Sequence, residues 1–466
     1  MEKTGSSYIV DQEISKLTVY VLTRDLRIDD NLTLFKAYDE AIKSKTHLAV
    51  IFRFTDQIYP EQNPFYSKNA VQFMLEALED LSKQINISFI EHISDEEWLN
   101  FLNYLPIHKI FIARDFSPYA RKRYDMYSKV AETLEIDDIT VYPITTYKTF
   151  EKLSQFVEYV RNFDFPKIQT RNINWKDETV TKFLENMKFN YNSTNCDFIK
   201  HSLVMKGKFS SFNLNLKTIP RDLKKILEDL NENLKGYSNK KIRDLIGKPR
   251  VSYISSFLKF GLISIRVLHA FTSGLKCPSQ NDISFYQREL FFRDFYYSAA
   301  FYKYDEVFEK PKWEESNPRF ILEEDLMKWK AHKNLGVDIT NEEREDIKAA
   351  KLIYDKWSSG RTEYGLINAG ILELVNTGYM LNKTRILATS YLTRDNRLWW
   401  KYAEKFYANH LTDYDWTINS ISHQNIAKIG YYPNKNVYDF SIEKQQMINP
   451  EDKEEYYDRN NRCINN

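Results

Sequence analysis

Only three cysteines are spread through this chain, Cys196, Cys277 and Cys463. An odd number at such wide spacing argues against a disulfide framework or a metal cluster, and it fits a reducing compartment. No metal site is expected. No apolar run approaches the roughly 20 residues of a membrane span. Met1 to Ile14 is polar and has no apolar core. A secretory signal is therefore not expected, and the protein is read as intracellular, cytoplasmic or nuclear. Excess charge of one sign is missing too: 66 Lys and Arg stand against 65 Asp and Glu, for a net charge of +1. That balance excludes a general polyanion binder, so any affinity for nucleic acid must come from a local patch. No Gly-x-Gly-x-x-Gly or Walker loop occurs, which argues against an ordinary dinucleotide or NTP site. The chain has no internal repeat.

What is present is length and aromatic rings. The 466 residues leave room for roughly two or three domains. Aromatics reach 15%, with 32 Tyr, 30 Phe and 8 Trp, an excess that suits a protein stacking on flat rings. Short β-branched or aromatic runs at Leu17–Leu22, Leu48–Phe52, Ile85–Ile90, Lys109–Ala113 and Ile139–Ile144 read as strands. Val71, Leu75, Leu78 and Leu81 lie between the second and third on one helical face. The alternation predicts an α/β domain with a parallel, doubly wound sheet over residues 15–148. Residues 149–206 are polar and read as a connecting segment over the surface. Helical periodicity dominates 207–442, with a charged, solvated insertion at about 319–356. A polar tail, 443–466, follows.

Read alone, most candidate motifs have plain explanations. Arg24-Asp25-Leu26-Arg27 with Asp29-Asp30-Asn31 is a charged βα loop in which Asp30 or Asn31 caps the next helix. Val251-Ser252-Tyr253-Ile254-Ser255 is a small-hydroxyl helix start that could also face an anion. Tyr286 to Tyr296 is an aromatic helix with internal charges, where Glu289 either needs a buried partner or pairs with a neighbouring Arg at the surface. Lys240, Lys241, Arg243, Lys248 and Arg250 form a basic run that is either solvated or meets phosphate.

Order and spacing join these segments. Trp357-Ser-Ser-Gly-Arg-Thr, Asn368-Ala-Gly, Asn382-Lys383-Thr-Arg385 and Asp413-Tyr414-Asp415-Trp416-Thr-Ile-Asn419 follow one another as they do in the photolyase/cryptochrome family. The resemblance spans about residues 16–440. It is nearest to class I-type cyclobutane pyrimidine dimer photolyases, with a divergent segment after Asn419. It implies an all-helical domain binding FAD noncovalently behind the α/β domain. It also leaves room for a second, antenna chromophore of folate or deazaflavin type.

By the same resemblance, Tyr237, the loop Val251, Ser252, Tyr253, Ile254 and Ser255, and Tyr286 and Arg293 would hold the cofactor. Arg385 would pair bidentately with Asp413 beside the ring, with Tyr414, Asp415 and Asn419 completing the pocket. Glu289 and Asn382 would hold the damaged bases, with Asn419 against flavin N5. Phe292, Lys383, Lys241 and Arg243 would meet DNA. The implied function is light-driven repair of UV-damaged DNA by a monomer.

Departures cut the other way. Phe292 and Asn425 replace Trp platforms, Val251 and Ser256 alter the phosphate loop, and His423 stands at the flavin-proximal Trp of an electron-transfer triad. Trp400 and Trp313 match its middle and distal members, and Trp416 is a candidate to bridge the gap. A cryptochrome-like photoreceptor is the rival reading. Six-four photoproduct repair is disfavoured, because Asn382 and Ile386 stand where those enzymes carry His.

Overall fold

The computed structural model describes residues 15–55, 63, 65–90, 94–176, 178–190, 222–239, 251–309, 321–332 and 338–429. Five parallel strands, β1 (Leu17–Val21), β2 (His47–Arg53), β3 (Ser88–Ile90), β4 (Ile107–Ala113) and β5 (Glu132–Ile136), form one sheet in the order β3-β2-β1-β4-β5. The order reverses direction between β1 and β4, as in a doubly wound sheet. Helices α1 (Leu32–Ser44), α2 (Lys68–Ser82), α3 (Asp95–Tyr104) and α4 (Pro118–Ser128) alternate with the strands. Leu17, Val19, Ile51 and Ile110 are fully buried in the core of this unit, together with Trp98 of α3.

The loop after β1 is locked from within. Asn31 is the helix cap, and its side-chain oxygen accepts from Leu34 N–H at 2.8 Å. Its amide donates to the Tyr20 hydroxyl and the Arg27 carbonyl, each at 2.9 Å. Arg27 pairs with buried Asp138 at 2.6 Å. A charged loop thus becomes a satisfied polar core.

The fifth strand is not the expected one. Glu132–Ile136 pairs with β4, whereas Ile139–Ile144 forms no strand. The edge position explains the inversion. Glu132 and Glu135 find cations in Lys109 at 3.4 Å and Arg114 at 2.8 Å, so an edge strand tolerates charges that weaken its sequence signal.

The helical half contains α5 (Leu153–Val160), α6 (Thr179–Asn190), α7 (Leu223–Asn233), α8 (Ser255–Phe260), α9 (Ile265–Ser273), α10 (Gln280–Tyr302), α11 (Glu323–His332), α12 (Asn341–Ser358), α13 (Gly365–Thr377), α14 (Asn382–Ser390), α15 (Trp400–His410) and α16 (Trp416–Ile426). Of these, α6 packs instead in the α/β core, through buried Val180 and Leu184.

The two compact units interleave along the chain. One takes in the described residues within Met1–Thr55, Leu78–Ile139 and Gln169–His201, and the other those within Asp56–Ala77, Thr140–Ile168 and Ser202–Asn466. Specific bonds draw the early segments into the helical unit. Ser67 Oγ donates to Leu411 O at 2.8 Å, and Tyr147 Oη and Val141 N–H donate to Asp294 at 2.6 and 2.8 Å.

The stretch expected to run over the surface is therefore partly core. Phe156 of α5 is fully buried against Phe295, and Trp175 stacks on Phe35. The charged insertion likewise ends inside: α12 buries Ala350 fully and, one residue past the insertion, delivers Trp357 to the helical core.

Candidate functional site

Helix α10 carries one working face. Tyr286, Glu289, Arg293, Tyr296 and Tyr297 recur at steps of three or four and so share a side of the helix. A capping box starts it: Ser279 Oγ accepts from Asp282 N–H, and Asp282 reaches back to Ser279 N–H. Asp282 also takes the Gly236 and Ser238 N–H groups, at 3.1 and 2.8 Å, and the Ser238 hydroxyl at 2.7 Å. Burial works to raise this carboxyl, yet the bonds from Ser238, Ser279 and Gly236 hold it well below the usual carboxylate range. Tyr237 is thereby clamped, with its ring edge-on to Tyr286 at 5.3 Å. The Ser-x-x-Asp signature was visible in the sequence, but its grip on the Tyr237 loop was not.

Tyr286 is buried, and burial pushes its phenol up. Its hydroxyl faces Ser252 without closing a full hydrogen bond. The loop 251–255 then turns through Tyr253 at φ +54°, and its ring lies 5.1 Å from Tyr379. Ile254, at the start of α8, supplies no side-chain cap.

Arg385 Nε donates to Met380 O at 2.8 Å. Its Nη2 bridges both oxygens of Asp413, at 3.2 and 3.3 Å. The pair forms through one nitrogen and not as the two-nitrogen fork expected, with Nε given to the backbone carbonyl of Met380. Close packing of α13 on α14 sets its position. A Cβ on Gly370 would stand 2.2 Å from Thr384 Cγ2.

A third group closes the site. Asp415 caps α16 by accepting from Ile418 N–H at 3.1 Å, and its other oxygen accepts from Tyr297 Oη at 2.7 Å. Arg293 lies 5.0 Å over the Tyr297 ring. Asn419 Nδ2 donates to Asp415 O at 2.9 Å. One turn on, His423 Nδ1 bonds Asn419 O at 2.6 Å. A carbonyl only accepts, so this nitrogen carries the proton. Burial lowers the imidazole pKa and keeps it neutral.

Glu289 is half-exposed and pairs with Arg288 at 3.0 Å, the surface arrangement. Behind it, Tyr296 Oη accepts from Asn425 Nδ2 at 3.1 Å, and Phe292 packs edge-on against the Tyr296 ring at 4.7 Å. Burial, with nearby Glu289 adding to it, pushes the Tyr296 phenol up to about 12. Asn382 is exposed at the first position of α14, beside half-buried Lys383, and no bond joins it to Glu289. Ser255 is exposed at the start of α8, and Val251 packs partly buried against the helical core.

Tyr414 is buried in the helical core, where its hydroxyl lies 3.5 Å from Glu404. Trp416 rests on Phe308 at 4.3 Å. Trp400 is buried, with Lys401 Nζ 4.5 Å above its ring. Lys241, Arg243 and Trp313 lie outside the described residues. Tyr296, Tyr297, Tyr379 and Asp282 were missed from sequence. The heptad-like spacing along α10 could have signalled the first two.

Two family sequence models match this chain, "DNA photolyase" over residues 18–161 and "FAD binding domain of DNA photolyase" over residues 285–466. The chain belongs to the photolyase/cryptochrome family. A deoxyribodipyrimidine photo-lyase of Agrobacterium fabrum is 29% identical over 198 residues, 42% of this chain and 35% of that protein. A cryptochrome DASH of Vibrio parahaemolyticus is 36% identical over 98 residues, 21% of this chain and 22% of that protein. The chain thus spans about a third or less of the length of the curated relatives it matches.

Solved structures agree in fold. The archaeal photolyase of Sulfolobus tokodaii, described with two FAD molecules, has a TM-score of 0.67 at 21% identity, covering 95% of this chain and 89% of that one. A class III photolyase from Agrobacterium tumefaciens has a TM-score of 0.64 at 17% identity, covering 97% and 88%.

The residues present fit the FAD that this family domain binds. The under-bonded, buried Tyr286 hydroxyl beside Ser252 and the uncapped start of α8 offer polar atoms to a phosphate-bearing ligand. Arg385, spanning to Asp413, offers a cation to a ring system. No group of three His, Cys, Asp or Glu among the described residues could hold a metal ion. Among them, no helix is long and apolar enough to cross a membrane.

Proposed function

We propose that this protein repairs cyclobutane pyrimidine dimers in UV-damaged DNA, using light. The supporting observation is Glu289, a solvent-open carboxylate paired with Arg288 and standing beside the polar floor of Tyr296 and Asn425. When bound, reduced FAD supplies on blue-light excitation the electron that splits the dimer, and recovers it afterwards.

The chain's own residues do the holding. Arg385 and Asp413 fix the cofactor's orientation through a charge-assisted pair. Asn419, tied to Asp415, presents an amide that can serve either protonation state of a ring nitrogen. Glu289 accepts hydrogen bonds from the flipped bases, and Asn382 approaches from the start of α14. Flipping is easier for a dimer than for a sound base, because the lesion is poorly stacked. Lys383 meets phosphate, with Lys241 and Arg243 proposed to extend that contact. The protein is proposed to act as an intracellular monomer. An antenna chromophore is proposed for the α/β unit, where the strand order reverses between β1 and β4, the place at which doubly wound sheets take ligands.

The test is dimer content after incubation of damaged DNA with reduced-flavin protein in light and in darkness. Loss only in light supports repair. Equal content in both, with reduced flavin verified, favours a cryptochrome-like photoreceptor. That second reading draws on Phe292 and Asn425, since each missing Trp stack weakens base binding by roughly 1–3 kcal/mol.

A further inference from the structure

Resting on the FAD reading above, we propose that Tyr297 is a positioning residue for the flavin. Its buried hydroxyl, bonded to Asp415, seats the residues that face the ring and spreads the carboxylate charge, and so raises the flavin's affinity for electrons.

Tyr297 is placed by its helix. It stands about three turns past Tyr286, on the same side of α10. Its neighbours along the helix are tied down. Asp294 accepts from Val141 N–H at 2.8 Å and Tyr147 Oη at 2.6 Å, and Ser298 Oγ donates to Lys148 O at 3.0 Å. A helix held on either side of the residue gives the phenol a fixed direction. The residue is fully buried, so its hydroxyl takes a protein partner in place of water.

Asp415 is that partner. Tyr297 Oη donates to Asp415 Oδ2 at 2.7 Å, within the short range of a charge-assisted bond. A phenol is a far weaker acid than a carboxyl group, so the proton stays on Tyr297. Asp415 Oδ1 accepts from Ile418 N–H at 3.1 Å, at the positive end of α16. Both oxygens accept in these bonds, the pattern of an ionised carboxylate.

The backbone of the same residue holds the amide. Asp415 O accepts from Asn419 N–H and from Asn419 Nδ2, each at 2.9 Å. Bonds therefore run in series from Tyr297 on α10, through Asp415, to Asn419 in the first turn of α16. Asn419 is the residue proposed to face a ring nitrogen of the flavin.

Charge adds to this seating. A carboxylate in a dry pocket repels an electron added to a ring nearby, because little solvent screens it. A phenol donating to that carboxylate spreads its charge and weakens the repulsion. Arg293 lies 5.0 Å over the Tyr297 ring, draws electron density toward itself and strengthens the hydroxyl as a donor. Both effects favour reduced flavin, the form from which the repair electron leaves. A tyrosine that only filled the space between α10 and α16 would cost stability when replaced by phenylalanine and would leave the flavin potential alone.

The experiment titrates the full chain loaded with FAD anaerobically with dithionite beside a reference dye, and reads the midpoint potential of the bound flavin from absorbance. Tyr297→Phe should lower the reduced-to-oxidised ratio at a fixed potential about tenfold, roughly 30 mV for a two-electron couple. Asp415→Asn keeps a capping oxygen and removes the charge. Tyr297→Phe added to it should change the ratio by less than about twofold, because no charge is left to spread. A wild-type potential in Tyr297→Phe, or an equal shift with and without the Asp415 charge, overturns the proposal and leaves Tyr297 as packing. If Tyr297→Phe fails to fold or to hold flavin, Tyr297→fluorotyrosine decides. Its more acidic phenol is a stronger donor and should raise the potential, and an unchanged or lowered value overturns the proposal. Wild-type protein that never retains flavin overturns the FAD reading and this proposal with it.

Discussion

Arg385 and Asp413 meet through a single guanidinium nitrogen that bridges both carboxylate oxygens at 3.2 and 3.3 Å. Met380 O holds Nε, so the guanidinium plane is set by the backbone before any ligand arrives. Arg385→Ala should lose flavin before fold. A charged hydrogen bond is worth about 1.5–3 kcal/mol, so cofactor retention should fall roughly ten- to a hundredfold, with helical circular dichroism preserved. Flavin-to-protein stoichiometry after gel filtration measures it, and full occupancy in the variant would remove Arg385 from the site.

Glu289 touches Arg288 and none of the residues that gather round Arg385 and Asp415. Glu289→Ala should lower repair by about tenfold or more while leaving the flavin spectrum intact. Single-turnover repair on a dimer-containing oligonucleotide is the measurement. A changed flavin spectrum would show that the carboxylate acts on the cofactor instead.

Asp282 gathers the Gly236 and Ser238 N–H groups. Asp282→Ala strands those donors and removes the reciprocal half of the α10 capping box, leaving the Ser279 cap itself, at a cost of about 2–3 kcal/mol. Because Tyr237 hangs from the same loop, flavin should also be held more weakly. Urea unfolding gives the first quantity and flavin titration the second. Loss of stability with unchanged flavin affinity would detach Tyr237 from the cofactor.

Asp294 is fully buried, and burial raises its carboxyl to about 6, while Arg293, the Tyr147 hydroxyl, Val141 N–H and Arg266 act in the opposite direction. A folded value above the unfolded one means the protonated form is favoured. Its contribution is complete below about pH 4 and is lost as pH rises through 6, a difference of about 3 kcal/mol. Asp294→Asn should flatten stability across that window. Thermal melts from pH 4 to 7 test this, and an unaltered slope would exclude Asp294 as its source.

Gly370 lets α13 approach α14, and a Cβ would press on Thr384 at 2.2 Å. Gly370→Ala should destabilise by about 1–3 kcal/mol through overpacking. Since Arg385 follows Thr384, flavin should dissociate faster. Calorimetry together with flavin release rates checks both effects.

Much of the fold is legible in the chain, because hydrophobic period and capping are local. Val71, Leu75, Leu78 and Leu81 share a buried face of α2, as their spacing requires. Four of the five strands lie where β-branched runs predict them. Motif order likewise identifies the family and singles out Arg385 and Asp413, which do pair.

Other features depend on partners distant in sequence. An edge strand with two glutamates has no local signature, since Arg114 and Lys109 are what make Glu132–Ile136 acceptable. Tyr414 is a site residue by motif, and only the folded chain shows its hydroxyl beside buried Glu404, ten residues earlier in the sequence. Ring contact between Tyr407 and Trp357, or Tyr354 and Tyr402, joins residues about fifty apart and has no periodicity to betray it. The sequence alone determined four of the five strands, the helical character of the second half and the cofactor family they serve. Tertiary packing decided which side chains meet, because contact depends on how helices cross and not on their composition.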